Sequence, residues 1–151
     1  MCHRNRWMIA VLIIVTALTL TACAAQASQT STTSTSSPPA RVEHIGETDL
    51  SRVILTAQAA KRLGIETAPV RDTQVQGKQR KVVPYAAVFY DLSGKTWVYM
   101  NPELLTFIRA SISVDYIDGE RAVLSDGPPS GTEVVTVGSP ELYGTEFGVG
   151  Q

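Results

Sequence analysis

The sequence has few of the residues on which most enzyme chemistry depends. Its 151 residues include two histidines and two cysteines, and its formal net charge is −1. It has no glycine-rich phosphate loop and no pair of histidines at a zinc-binding spacing. These absences predict a non-catalytic protein with no cofactor and no metal site. The small net charge also predicts no nucleic-acid partner.

Only one histidine, His44, lies beyond the extreme N-terminus. Glu43, Glu47 and Asp49 are close to it in the sequence, and together the four side chains are of the type that binds metals. Their spacing matches no zinc motif, so we interpret residues 41 to 49 as a solvated segment that leads into the domain.

The N-terminus has the features of an export signal. Arg4 and Arg6 precede an uncharged, mostly apolar run from Trp7 to Ala22. The run ends in Leu20-Thr21-Ala22-Cys23, which resembles the bacterial lipoprotein signal: an aliphatic residue, small residues at the cleavage point, and then the cysteine that is acylated. Residues 1–22 are therefore expected to be a signal peptide, and Cys23 is the expected lipidation site.

An uncleaved membrane anchor is the alternative interpretation of the same segment. The run without charge extends from Trp7 to Ala25, and about 20 apolar residues suffice to cross a bilayer. In both interpretations Arg4 and Arg6 keep the N-terminus inside the cell. The rest of the chain is then expected at the cell membrane, facing the periplasm or the exterior.

The segment that follows Cys23 is expected to be a flexible tether. Residues 24 to 40 are only Ala, Gln, Ser, Thr and Pro, which cannot bury enough apolar surface to offset the entropy of ordering. We therefore divide the chain into a signal peptide (1–22), a lipidated cysteine with a disordered linker (23–40) and one folded domain (41–151).

The folded domain has the sequence pattern of a β protein. Val82 to Met100 contains two runs rich in Val, Tyr, Phe and Trp around a loop from Asp91 to Lys95, which predicts a hairpin with Pro84 opening its first strand. Asp118-Gly119 predicts a type I′ turn between two further strands. Val134 to Gly138 is expected to form the last buried strand.

The remaining elements follow from shorter signals. We expect an edge strand over residues 50–55, a helix over 57–63 with Thr56 as N-cap and Gly64 beyond its end, and one strand over 65–75. A turn is expected at 101–103, followed by a strand over 104–109 with Phe107 in the core and Arg109 at the surface. Residues 140–144 are expected to form a turn or a 3₁₀ piece. The predicted fold is mainly β: one small barrel-like domain of about seven strands with one short helix.

Three stretches carry a family resemblance. "VPYAAVFYDLSGKTWVYM" with "FIRASISVDYIDGERAVLSDGPPSGTEVVTVGSPELYGTEFG" resembles the C-terminal part of the periplasmic adaptor subunits, or membrane fusion proteins, of bacterial efflux systems. "ILTAQAAKRLGIETAPV" is similar to the lead-in strand of that family. The resemblance implies a β-barrel with a membrane-proximal domain and an inner-membrane transporter subunit as partner. Between Val75 and Val82 the chain lacks the lipoyl-like half-motifs and the helical hairpin of full-length adaptors.

The expected function is that of a membrane-tethered, adaptor-like accessory protein of an efflux transporter. The alternative is a binding or structural lipoprotein of the cell envelope with no transporter partner. Lys78, Arg80 and Lys81 are the candidate contacts to lipid headgroups or to an acidic partner. The same cations are also typical of a solvated strand edge that resists aggregation.

Overall fold

The computed structural model describes residues 38–149, so the predicted signal peptide, Cys23 and most of the predicted tether lie outside the described residues. The described chain is mainly β, as predicted, and forms two antiparallel sheets and two short helices. The strands are β1 (Ala40–His44), β2 (Ser51–Leu55), β3 (Glu66–Pro69), β4 (Arg71–Val75), β5 (Lys78–Pro84), β6 (Phe89–Tyr90), β7 (Thr96–Glu103), β8 (Thr106–Ser111), β9 (Ser113–Asp118), β10 (Arg121–Asp126) and β11 (Glu133–Val137); the helices are α1 (Ala57–Leu63) and α2 (Ser139–Glu146).

The larger sheet contains seven strands in the order β1-β2-β8-β7-β11-β3, with β6 paired to β7. The smaller sheet contains four, in the order β4-β5-β10-β9. The two sheets do not close into a barrel, which corrects the barrel-like expectation. The sequence pattern identifies individual strands, whereas closure depends on which strands pair over long distances.

The chain passes from one sheet to the other at Val70. The predicted single strand over residues 65–75 is split there into β3, an edge strand of the larger sheet, and β4, an edge strand of the smaller one. Val70 is 1% exposed, and its backbone N–H donates to Thr132 O at 2.8 Å. Burial of this side chain fixes the crossover point.

Two apolar clusters hold the structure. One packs Val70, Val83, Val98, Ala122 and Leu124 from the two sheets against each other. The other lies under the helices, where Ala59 of α1 and Leu142 of α2 cover the larger sheet. That second face, which we call the helix face, carries the ionic network described below.

Three expectations about the start of the domain have different outcomes. Thr56 caps α1 by accepting from Ala59 N at 3.2 Å, and Gly64 ends the helix in the left-handed region, as predicted. The strand predicted over residues 50–55 forms, but β2 is not an edge strand because β1 and β8 pair with it. The prediction of a solvated approach chain over residues 41–49 is wrong for 41–44, which belong to β1, whereas 45–49 form a loop that is exposed at 46–49.

Four turn predictions also need correction. Pro84 ends β5 and does not open a strand. Residues 101–103 belong to β7, and the chain reverses after them, at Leu104 and Leu105. In the hairpin between β9 and β10, Gly119 has a φ of 59° but Glu120 has no positive φ, which is the pattern of a type II′ turn and not of type I′. The predicted turn or 3₁₀ piece at residues 140–144 is α2, whose Pro140 occupies the first turn, where its missing N–H costs nothing.

Candidate functional site

The three cations proposed as contacts to a partner lie on β5. Arg80 Nη2 is 2.5 Å from Asp115 Oδ2 across the smaller sheet. Lys81 Nζ donates to Gly127 O at 2.9 Å, and Lys78 is exposed at the start of the strand. Because side chains alternate along a strand, Lys81 points to the opposite face from Lys78 and Arg80. The structure therefore does not bring the three charges together on one surface.

The acidic and histidine side chains near His44 are also separated. His44 Nδ1 is 3.2 Å from Ser51 Oγ, and Glu43 forms ion pairs with Arg41 and Arg52. Within residues 38–149 no group of three or more His, Cys, Asp or Glu side chains is placed to hold a metal. Nor does any helix in this range have the length and apolar character needed to cross a bilayer.

A buried ion pair fastens the C-terminal helix to the larger sheet. Arg109 Nε on β8 donates to Glu146 Oε1 at 2.8 Å, and the two side chains are 7% and 1% exposed. A second guanidinium nitrogen of Arg109 donates to the carbonyl of Asp49 in the β1–β2 loop. Arg109 was predicted to be at the surface, which is wrong: it lies on the same face as Phe107, under α2.

The position of Glu146 makes its negative charge unfavourable without a cation nearby. Glu146 is the last residue of α2, where the helix dipole disfavours a negative charge. Arg109 neutralises that charge at short range. Tyr99 OH donates to the other carboxylate oxygen, Oε2, at 2.5 Å, so both oxygens of the buried carboxylate are satisfied.

Aromatic rings enclose the ion pair. The guanidinium carbon of Arg109 is 4.5 Å from the ring centre of Trp97 and 5.2 Å from that of Phe147. Tyr99 stacks on Phe89 with ring centres 5.1 Å apart. Burial raises the pKa of Tyr99 far above its ordinary value, and the adjacent carboxylate of Glu146 raises it further. Tyr99 therefore remains a neutral hydrogen-bond donor across the physiological pH range.

The loop between β6 and β7 is held rigidly by one carboxylate. Oδ1 of Asp91 accepts from Ser93 N at 2.8 Å, Ser93 Oγ at 2.7 Å and Lys95 N at 3.0 Å, while Oδ2 accepts from Trp97 Nε1 at 2.9 Å. The side-chain bonds from Ser93 and Trp97 hold the pKa of Asp91 well below its usual range. The loop is therefore fixed at any pH at which Asp91 is ionised.

This loop presents apolar side chains to solvent. Leu92 at its tip is fully exposed, and Tyr90 beside it is 56% exposed. Phe147 is 50% exposed, and its ring and that of Trp97 both contact the guanidinium group of Arg109. We call these three residues the hairpin end. Its two aromatic residues, Tyr90 and Phe147, are of the types that are enriched in protein interfaces.

A second apolar feature lies beside the β7–β8 hairpin. A groove of about 270 Å³ is lined by five apolar residues, together with Arg62 and Thr145: Pro39, Ala40, Leu55, Ala59 and Leu63. Leu104, at the tip of the β7–β8 hairpin, is 87% exposed. The backbone N–H of Leu55 donates to Leu105 O at 2.9 Å, which places that hairpin next to the strand that lines the groove.

Sequence reasoning missed the ion pair and both apolar ends. The sequence does contain one indication that Arg109 is buried. Phe107 and Arg109 are two residues apart in a strand and therefore share a face, so a buried Phe107 implies that Arg109 is buried too. The partner, Glu146, is 37 residues further along the chain, and no local pattern identifies it.

Comparisons with known proteins return no match of any kind: no family model, no curated protein and no solved structure matches this chain.

Proposed function

We propose that this chain is a lipid-anchored, non-catalytic protein of the cell envelope that serves as an accessory subunit of an efflux transporter. The observation that carries the proposal is the hairpin end, where three exposed apolar side chains stand on a rigid support. The lipoprotein-type N-terminus and the adaptor-like sequence of the β strands add the location and the class of partner.

The rigidity of the hairpin end favours a role in binding. Asp91 locks the loop, and the ion pair between Arg109 and Glu146 locks the helix end that carries Phe147. Side chains that are already held in place lose little entropy when a partner covers them, so more of the contact energy appears as affinity. The side chain of Leu92 is then already in position to insert into an apolar pocket on the partner.

The tether sets where such a partner is found. If Cys23 carries the lipid, 16 residues separate it from Ala40, and a coil of that length has a typical span of roughly 22 Å. The domain is then restricted to the region next to the membrane. A transporter subunit with a domain outside the bilayer satisfies this restriction, which agrees with the partner that the adaptor resemblance implies.

The proposal is tested by capture of the full-length protein from cells after mild cross-linking. Mass spectrometry reads both the N-terminus and the proteins that co-purify. We expect an acylated Cys23 and a transporter subunit. An acylated Cys23 with no transporter would instead favour a stand-alone envelope lipoprotein, and an intact Met1 would refute the lipid anchor.

Two variants show whether the hairpin end makes the contact. Leu92→Asp places a charge at its tip and should abolish recovery of the transporter subunit. Leu104→Asp makes the same change in an exposed leucine at the other end of β7 and should leave recovery unchanged. Equal recovery with both variants would show that the partner binds elsewhere.

A further inference from the structure

The groove is open to solvent and almost entirely apolar. It is lined by Leu55 at the end of β2, by residues of α1, by Thr145 of α2, and by Pro39 and Ala40 near the start of the described chain. A volume of about 270 Å³ is below the roughly 300–1,000 Å³ of typical ligand pockets. The groove suits a narrow, flexible apolar group better than a whole small molecule.

The chain itself indicates which apolar group is close. Pro39 and Ala40 form part of the groove, and the segment upstream of them leads to Cys23, the proposed lipidation site. If Cys23 is acylated, the segment that carries the lipid joins the domain at Pro39, beside the groove. This argument rests on the proposed function, because it requires that Cys23 is acylated.

Charge at the groove agrees with a phospholipid. Lys61 and Arg62 lie in the last turn of α1, both are exposed, and Arg62 lines the groove. Within residues 38–149 neither forms an ion pair. Cations beside an apolar groove match a lipid, whose phosphate lies next to the first carbons of its acyl chains.

Leu104 supplies a second apolar contact at the same end. It is 87% exposed at the tip of the β7–β8 hairpin, next to Leu105, which adopts a left-handed φ of 62°. That conformation is unfavourable for a leucine and turns the chain within two residues, which leaves Leu104 projecting from the sheet. We propose that this end of the larger sheet rests on the bilayer and that its groove takes an acyl chain of a membrane phospholipid.

The experiment uses the full-length, membrane-extracted protein in vesicles of phosphatidylcholine and phosphatidylglycerol with a trace of phospholipid that carries a photoreactive group in its acyl chain. After illumination, the cross-linked peptides are located by mass spectrometry, and the mass of the N-terminal peptide is read in the same sample. We expect cross-links at Leu55, at residues 57–63 and at Leu104.

Matched variants distinguish this contact from general anchoring. Leu104→Asp should lower the cross-link yield by roughly tenfold or more, because one buried leucine is lost. Arg62→Glu should also lower the yield, because it replaces a cation at the groove with an anion. Leu92→Asp changes another highly exposed leucine, at the other end of β7, and should leave the yield unchanged. Thermal melts of the variants check that each domain remains folded.

The remaining outcomes overturn the inference. Cross-links confined to the hairpin end or to residues 78–81 would show that another surface meets the lipid. An acylated Cys23 without cross-links in the groove would leave the lipoprotein standing and refute the bilayer contact. An unprocessed Met1 would refute the proposed lipid anchor and, with it, this inference.

Discussion

Glu146→Gln should destabilise the domain more than a change of one atom ordinarily does. The amide keeps the shape of the side chain and one acceptor oxygen, but the positive charge of Arg109 is left without its counter-ion. With side-chain exposures of 7% and 1%, solvent screens little of this interaction. Removal of one partner from a buried pair costs about 3–5 kcal/mol.

The size of the expected effect makes it easy to measure. A domain of this size has a free energy of unfolding of about 5–15 kcal/mol, and each kcal/mol shifts Tm by roughly 4 °C. Glu146→Gln should therefore lower Tm by roughly 12–20 °C. Urea titration should show a lower midpoint with an unchanged m value, because the surface exposed on unfolding is the same.

An exposed ion pair of equal length is the control. Arg121 Nη2 and Asp118 Oδ2 are also 2.8 Å apart, but these side chains are 51% and 49% exposed. Asp118→Asn should cost about 0–1 kcal/mol, because water screens both charges. If the two substitutions change the free energy of unfolding equally, burial of the Arg109 pair does not determine its energy and the reasoning is refuted.

Three further variants test separate parts of the structure. Gly138→Ala should destabilise by about 1–3 kcal/mol, because its φ is 98° and an added Cβ would overlap the side chain of Ile65. Gly77→Ala, at a φ of 77° in open space, should cost less, and equal melting temperatures would contradict the steric argument. Asp91→Asn should lower the free energy of unfolding at pH 7. Because the pKa of Asp91 is lowered in the folded state, its contribution to stability is complete above the ordinary carboxyl pKa of about 3.9 and is lost only in stronger acid, where variant and wild type should converge. A constant difference in stability across a pH series would refute this. Tyr99→Phe should make the free energy of unfolding fall less steeply above pH of about 10. Because the pKa of Tyr99 is raised in the folded state, its contribution to stability is complete below that pH and is lost above it, where the phenol ionises in the unfolded chain. An unchanged alkaline unfolding curve would argue against this.

Local chemistry made several elements predictable. Helix α1 is bounded by Thr56 and Gly64, whose capping roles depend on neighbouring backbone atoms only. The β6–β7 hairpin also follows from a short stretch, since Gly94 adopts a positive φ of 80° within the predicted loop. In both cases the interactions that define the element connect residues close together in the sequence.

The errors arose where long-range pairing decides the structure. The first strand, β1, has charged and polar residues that resemble solvated chain, and it forms because β2 supplies its hydrogen bonds. The position of β10 inside the smaller sheet depends on its pairing with β5, which lies far from it in the sequence. No pattern within a single segment contains this information.

The surroundings of the two exposed leucines could not be predicted from local sequence either. Leu92 and Leu104 both occupy exposed turns at the ends of β7. Their sequences alone do not show that one turn bonds to Trp97, which stacks on Arg109, while the other lies beside the groove. Because β7 is a single strand in the middle of the larger sheet, the two ends are held at a fixed separation. A protein anchored through the groove end would therefore present the hairpin end away from the bilayer, where a partner can reach it. Opposite responses of lipid cross-linking and partner recovery to Leu104→Asp and Leu92→Asp are the expected signature of that arrangement, and parallel responses would show that both activities use one surface.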